Sequence, residues 1–187
     1  MRIKEAGLAE VRLIRLERHF DGRGQFIETF NPTAFRQVGI DEAFVLDAGS
    51  ISLRSGTVRA LHFQTPPMEQ AKLVRVVHGS IFDVVVDIRD GSPTFGNHAA
   101  VRLDAGDWTW LYVPKGFAHG FCTLADETEV AYKLTGEYAP QHAAGILWND
   151  PALGIEWPIS ATEAVVSRWD MELPPLRALE AVFTYCP

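Results

Sequence analysis

The chain has 187 residues, 47% of them hydrophobic, and a formal charge of −7 at pH 7, enough for one domain (1–187) with a substantial core. The acidic balance excludes a nucleic-acid surface built on a basic patch, though not a small anionic ligand held by a local cluster of Arg and Lys. Cys122 and Cys186 lie too far apart for a disulfide framework or a zinc spacing, the N-terminal stretch MRIKEAGLAEVRLIRLERHF is too charged for a signal peptide, and no apolar run reaches membrane-spanning length. A cytoplasmic protein with neither membrane nor nucleic acid as partner is expected.

Taken in order, Val11, Leu13 and Leu16 suggest a first strand, with imperfect alternation. Asp21-Gly22 and Arg23-Gly24 are turn signals, after which Phe26, Glu28 and Phe30 alternate with Gln25, Ile27 and Thr29. Pro32 opens a short helix whose Ala34, Phe35 and Val38 fall at helical spacing and which Gly39 stops. Residues 44–53 read as a strand with a Gly-Ser interruption, and 54–58 as a turn into the central stretch RALHFQTPPMEQAKLVRVVHGSIFDVVVDIRD. That stretch holds an apolar-polar run with Arg59 and His62, a Pro-rich turn, Lys72, a strand over 73–77, a His-Gly turn and a strand over 81–88. Further strands follow at 99–103, 108–113, 117–124 and 129–134. The tail is irregular and aromatic, with a short helix opening near Thr162 and Glu163. Short strands at close spacing, with turn signals between them and no crossover helix, predict an all-β sandwich or barrel open at its mouth for a ligand.

Arg59, His62 and Lys72 are expected to project from neighbouring strands into one cavity. A histidine in an apolar run is more often a hydrogen-bonded core residue than a catalyst, but Arg59, Gln64 and Lys72 close to it change the balance. Such a polar cluster is costly to bury unless it meets an anion or a polar ligand. A metal site built on His62, Gln64, Glu69 and His119 is the competing reading; it is weakened because Gln is a poor transition-metal ligand and Lys72 would repel a cation. Taken alone, Tyr132 in VAYKLT reads as a packing residue and Asp170 in SRWD as a surface acid.

The segments DGRGQFIETF, RALHFQ, KLVRVVHGSIFDVVVDIR, SPTFG, LYVPKGFAHGF, YKLTGEYAP, GILWNDPALGIEWP and SRWD stand in one order over residues 20–170. With them the chain resembles the dTDP-4-dehydrorhamnose 3,5-epimerases, a cupin-like jelly-roll family acting on nucleotide-linked 4-keto sugars. The resemblance implies an all-β, cupin-like jelly-roll barrel with short peripheral helices. It implies His62 as general base, Asp170 as the acid that orients and charges it, Tyr132 as proton donor on the opposite face of the sugar, and Lys72 as stabiliser of the enolate. It also implies substrate contacts from Arg23, Glu28, Asp47, Arg59, Gln64, Lys72, His119 and Arg168, with Tyr138 stacking on the nucleotide base. No metal or other cofactor is required by that chemistry, and a homodimer with exchanged strands is expected.

The chemistry suits these residue types. A histidine, with an ordinary pKa of about 6.5, can take a proton at neutral pH, and a tyrosine, at about 10, is protonated and can give one. The chain departs from the family pattern at Leu46, Ala48 and Ala143, where Gln, Asn and Glu are usual. Epimerisation at one centre only, or a sugar carried by CDP or GDP, therefore stays open beside the dTDP-linked two-centre reaction.

Overall fold

Residues 81–88 constrain the architecture most. They are apolar on both alternating sets of positions apart from Asp83 and Asp87, so a strand made from them must be covered on both faces. A computed structural model describes residues 1–186 and provides that cover. Along the chain come β1 (Arg2–Glu5), β2 (Arg12–Arg15), β3 (His19–Asp21), β4 (Gly24–Phe26), α1 (Pro32–Gln37), β5 (Leu46–Ser52), β6 (Thr57–Gln64) and β7 (Lys72–His78). They continue with β8 (Ser80–Asp87), β9 (His98–Asp104), β10 (Thr109–Val113), β11 (Phe117–Thr123), β12 (Thr128–Leu134), β13 (Ala143–Gly145), β14 (Val165–Val166) and α2 (Arg168–Met171).

One sheet has the order β1-β2-β10-β7-β12-β5 and the other β13-β6-β11-β8-β9, with β14 added in parallel to β6. The inner core between the sheets holds Val74, Val76, Leu111 and Val130 from the first and Ile81, Val85, Leu103 and Phe121 from the second. The other set of side chains on β8, Val84 and Val86, packs outward against Ile146, Trp148 and Leu153 of the C-terminal tail. Residues around α1 cover the outer face of the first sheet, where Phe35 and Ile40 meet Leu73 and Trp110. Every valine of VVVDI thus finds apolar cover, which is why the run is continuous rather than alternating. The result is a cupin-like jelly roll with the tail wrapped over one side.

The strands expected at 73–77, 81–88, 99–103, 108–113, 117–124 and 129–134 all form, within a residue or two of the expected ends. β1 escapes sequence reading because RIKE has no apolar alternation; it is an edge strand with all four residues exposed. β13 escapes because Ala-Ala-Gly carries no strand signature. The expected alternation over 26–30 ends at Phe26, beyond which the chain leaves the hairpin. The Gly-Ser pair in β5 is no interruption, since the ladder with β12 runs through Gly49 and Ser50. Near Thr162 there is a hydrogen-bonded turn closed by Ala164 N–H on the Ser160 carbonyl, and the helix forms later, at α2. β6 and β7, expected as neighbours, lie in opposite sheets, because the connection through Pro66 and Pro67 crosses from one to the other.

Gly120 on β11 is fixed by close approach rather than by backbone angle. A Cβ there would come within 2.5 Å of the Ala60 Cα and 2.7 Å of the Arg59 carbonyl oxygen on β6. Replacement Gly120→Ala must push β6 away from β11, and overpacking of this kind typically costs about 1–3 kcal/mol. A fall of several degrees in Tm by calorimetry is expected.

Candidate active site

A cavity of about 560 Å³ opens between the two sheets. Its walls come from both. The second sheet contributes Arg59 and His62 from β6 and His119 from β11, and the first contributes Lys72, Tyr132 and Ser50. His62 and His119 are directly opposite in the β6–β11 ladder, so one face of one sheet carries both imidazoles. Tyr132, on β12, is presented from the facing sheet.

Each imidazole has its own carboxylate. Asp170 Oδ1 lies 2.9 Å from His62 Nε2, and its Oδ2 accepts a hydrogen bond from the Ala60 backbone N–H at 3.3 Å. Ser167 caps α2 by accepting the Asp170 N–H at 3.1 Å, so a helix of four residues is enough to hold the acid still. With Nε2 engaged by Asp170, Nδ1 is the nitrogen of His62 left to accept a proton. His119 Nε2 meets the two Asp83 oxygens at 3.0 and 3.1 Å. Asp83 is fully buried; burial pushes its carboxyl up, while His119 and Lys72 pull the other way.

The Lys72 ammonium donates to the His62 carbonyl oxygen at 3.2 Å. Burial lowers its pKa from the ordinary lysine value to about 8, with Asp83 opposing the shift, so it is charged at neutral pH but only just. Tyr132 Oη and Ser50 Oγ are 3.1 Å apart. Burial raises the phenol to about 12 despite the Ser50 bond, which keeps Tyr132 protonated through the physiological range. Arg59 spans the cavity edge, its Nε donating to Ser52 Oγ at 3.2 Å and its Nη2 to the Ile51 carbonyl at 3.3 Å. The set comprises an imidazole held by a carboxylate, a protonated phenol on the facing wall, and an ammonium lining the same cavity. Such a set can move protons on a carbon acid.

A smaller pocket of about 210 Å³ adjoins the cavity and shares His62 and Lys72 with it. Tyr138, well exposed, lines this pocket with Ala143 and Trp169. Of the three departures from the expected pattern, Ala48 lines the main cavity, Ala143 lines the smaller pocket, and Leu46 pairs with Leu134 at the start of β5.

Other expected contacts are placed elsewhere. The Gln64 amide is fully occupied by the protein: its oxygen accepts from Ala139 N–H and its nitrogen donates to the carbonyls of Met68 and Glu137. It pins the loop carrying Tyr138 and lines the smaller pocket, not the main cavity. Asp47 is exposed and paired with Lys133 at 2.7 Å, and Arg168 is exposed and paired with Glu172 at 2.7 Å. Arg23 is bonded to Asp21 within the exposed β3–β4 hairpin, and Glu28 accepts from Asn31; neither lines the cavity of its own chain. Of the residues in the metal reading, His62 and His119 line the main cavity, Gln64 lines the smaller pocket, and Glu69 lies in a different pocket beside Lys115. Asp83, Ser50 and Trp169 belong to the site but were not read from the sequence. Asp83 had a legible signal, an acid at an inward position of an otherwise apolar strand. Ser50 and Trp169 had none.

The family profile for dTDP-4-dehydrorhamnose 3,5-epimerase matches residues 5–178. The chain belongs to this family of isomerases. It is 44% identical over 185 residues to the dTDP-4-dehydrorhamnose 3,5-epimerase of Sinorhizobium fredii, covering 99% of this chain and 94% of the relative. The crystal structure of dTDP-6-deoxy-D-glucose-3,5-epimerase from Legionella pneumophila in complex with dTDP-4-keto-L-rhamnose superimposes with a TM-score of 0.94 at 36% identity, over 100% of this chain and 99% of that one. A 3′-monoepimerase from Streptomyces bikiniensis in complex with dTDP-quinovose also matches, with a TM-score of 0.85 at 34% identity over 94% of this chain and 89% of that one.

The depressed Lys72 pKa has a stability consequence. A lysine whose folded pKa lies below its unfolded value penalises folding wherever it must be charged; the penalty is complete below pH 8 and fades as pH rises from about 8 toward 10.5. Lys72→Met should therefore raise Tm at pH 7, and the gain should shrink by pH 10. Thermal unfolding followed by circular dichroism across that range checks the sign.

Proposed function

We propose that the chain is a cofactor-free epimerase of a nucleotide-linked 4-keto-6-deoxy sugar, inverting C3 and C5 through an enolate, with dTDP-4-dehydro-6-deoxy-D-glucose as substrate and dTDP-4-dehydro-L-rhamnose as product. The observation that carries this reading is the placement of His62 and Tyr132 on facing walls of one cavity, with the Lys72 ammonium beside them.

The C4 carbonyl acidifies the protons on C3 and C5. His62 Nδ1 takes one of them, and the C–H electron pair moves through the new C=C bond onto O4, where Lys72 stabilises the charge. Asp170 holds the Nε2–H tautomer and stabilises the imidazolium that forms. Tyr132 returns a proton to the opposite face, so the centre is inverted, and exchange with solvent resets both groups. His119 and Arg59 line the same cavity and supply donors to the sugar and the diphosphate.

The nucleotide end extends past Tyr138, whose exposed ring offers a stacking surface. Arg23 and Glu28 reach substrate in a homodimer: the β3–β4 hairpin pairs only with itself, and its Phe20 and Phe26 are 72% and 71% exposed, an apolar surface suited to insertion against a second copy. One domain, working in the cytoplasm, completes the proposal. The 3′-monoepimerase among the structural neighbours keeps a one-centre reaction as the second reading.

Incubating the protein with dTDP-4-keto-6-deoxyglucose in deuterated water should erase the proton NMR signals of both C3 and C5. Loss at one centre would establish a mono-epimerase, and no loss would move attention to the nucleotide and to Ala48 and Ala143. His62→Ala should slow exchange by at least about 100-fold while leaving Tm nearly unchanged. The same assay should show kcat falling as pH rises past about 8, where Lys72 loses its charge. For the dimer, Phe26→Asp should shift sedimentation toward a monomer and raise KM by about tenfold or more, through loss of the hairpin's contacts with the neighbouring site; an unchanged dimer would reject the exchanged hairpin.

A further inference from the structure

α2 brings more than a carboxylate to His62. Trp169, one residue before Asp170, lays its ring against the imidazole, with centroids 4.9 Å apart and planes tilted by 39°. Asp170 therefore meets the edge of the imidazole at Nε2 while Trp169 meets its face. The indole is still 46% exposed, so it adds little to the core, and it stands in the smaller pocket rather than among the residues of the main cavity.

We infer that Trp169 is a positioning residue for the base, fixing the plane of the His62 ring. One hydrogen bond fixes a point and not a plane. Tethered at Cβ and held by Asp170 at Nε2, the imidazole can still rock about the line joining those two points, and the lone pair on Nδ1 sweeps with it. An aromatic surface packed on the ring removes that motion and aims the lone pair into the cavity. Reaction rate is sensitive to such aim, since a misplacement of about 1 Å can cost roughly 100-fold. The capping of α2 by Ser167 then acts on both partners at once, because one four-residue helix sets the acid and the indole together.

The inference rests on His62 being the base, and the test separates the two. Wild type, Trp169→Ala and Trp169→Phe are compared for sugar-proton exchange and for dTDP affinity by calorimetry. The relaxation of the His62 ring C–H bonds is also recorded by NMR in histidine-labelled protein without substrate. Trp169→Ala should lower kcat by about tenfold or more with dTDP affinity held within about twofold, and Trp169→Phe should recover most of the loss. In Trp169→Ala the order parameter of the His62 ring C–H bonds should fall as the ring gains freedom. Loss of dTDP affinity with kcat intact would overturn the inference and make Trp169 a wall of the nucleotide site. An unchanged ring order parameter or an unchanged kcat would overturn it as well. A wild-type protein that exchanges no sugar proton would instead bring down the base role itself.

Discussion

The contact between His62 Nε2 and Asp170 joins residues 108 positions apart, and the arrangement of the rest of the chain makes it possible. β6 must be held flat in the second sheet, and the C-terminal tail must be packed over that sheet's outer face before α2 can stand beside the cavity. Two apolar surfaces achieve this. The inner faces of the sheets close on each other, and the outward set on β6, β8 and β11 is covered by Ile146, Trp148, Leu153 and the residues that follow. The double cover of β8 is thus part of the site's construction: the same tail that shields Val84 and Val86 continues into Ser167 and Asp170.

The sandwich also explains how one cavity holds groups of opposite duty. Inverting a carbon centre needs a proton acceptor and a proton donor on opposite sides of a ring. Two facing sheets place side chains on opposite walls without any special loop. The electrostatics follow from the same burial. It raises the phenol of Tyr132, keeping its proton available, and lowers Lys72 until its charge is held by a small margin, with Asp83 as the counterweight. Asp83 and His119 form a second imidazole–carboxylate pair, buried more deeply than the first.

Much of this was legible in the sequence, and the failures have physical causes. Strands with alternating or doubly apolar patterns, β7 through β12, could be read because burial leaves a periodic trace. β1 and β13 could not, since an exposed edge and a run of small residues leave none. His62, Lys72, Tyr132 and Asp170 do line one cavity, but their convergence rested on a resemblance between motifs rather than on periodicity, which cannot say that residue 170 returns to residue 62. The bonds of Gln64 to the 137–139 loop could not be read, because a strand position tells which way a side chain points and not which backbone groups lie waiting there. Arg23 and Glu28 lie outside the cavity, at the exposed β3–β4 hairpin and just after it, a placement that no periodicity could reveal.

That the acid arrives on the tail sets an order of events during synthesis. A ribosome that has released residues 1–150 has supplied all thirteen strands of the two main sheets and the hairpin, with His62, Lys72 and Tyr132 among them. The dyad still lacks its acid, and β14 and α2 have yet to emerge. The contact that joins His62 to Asp170 therefore waits for the last stretch of the chain to be made.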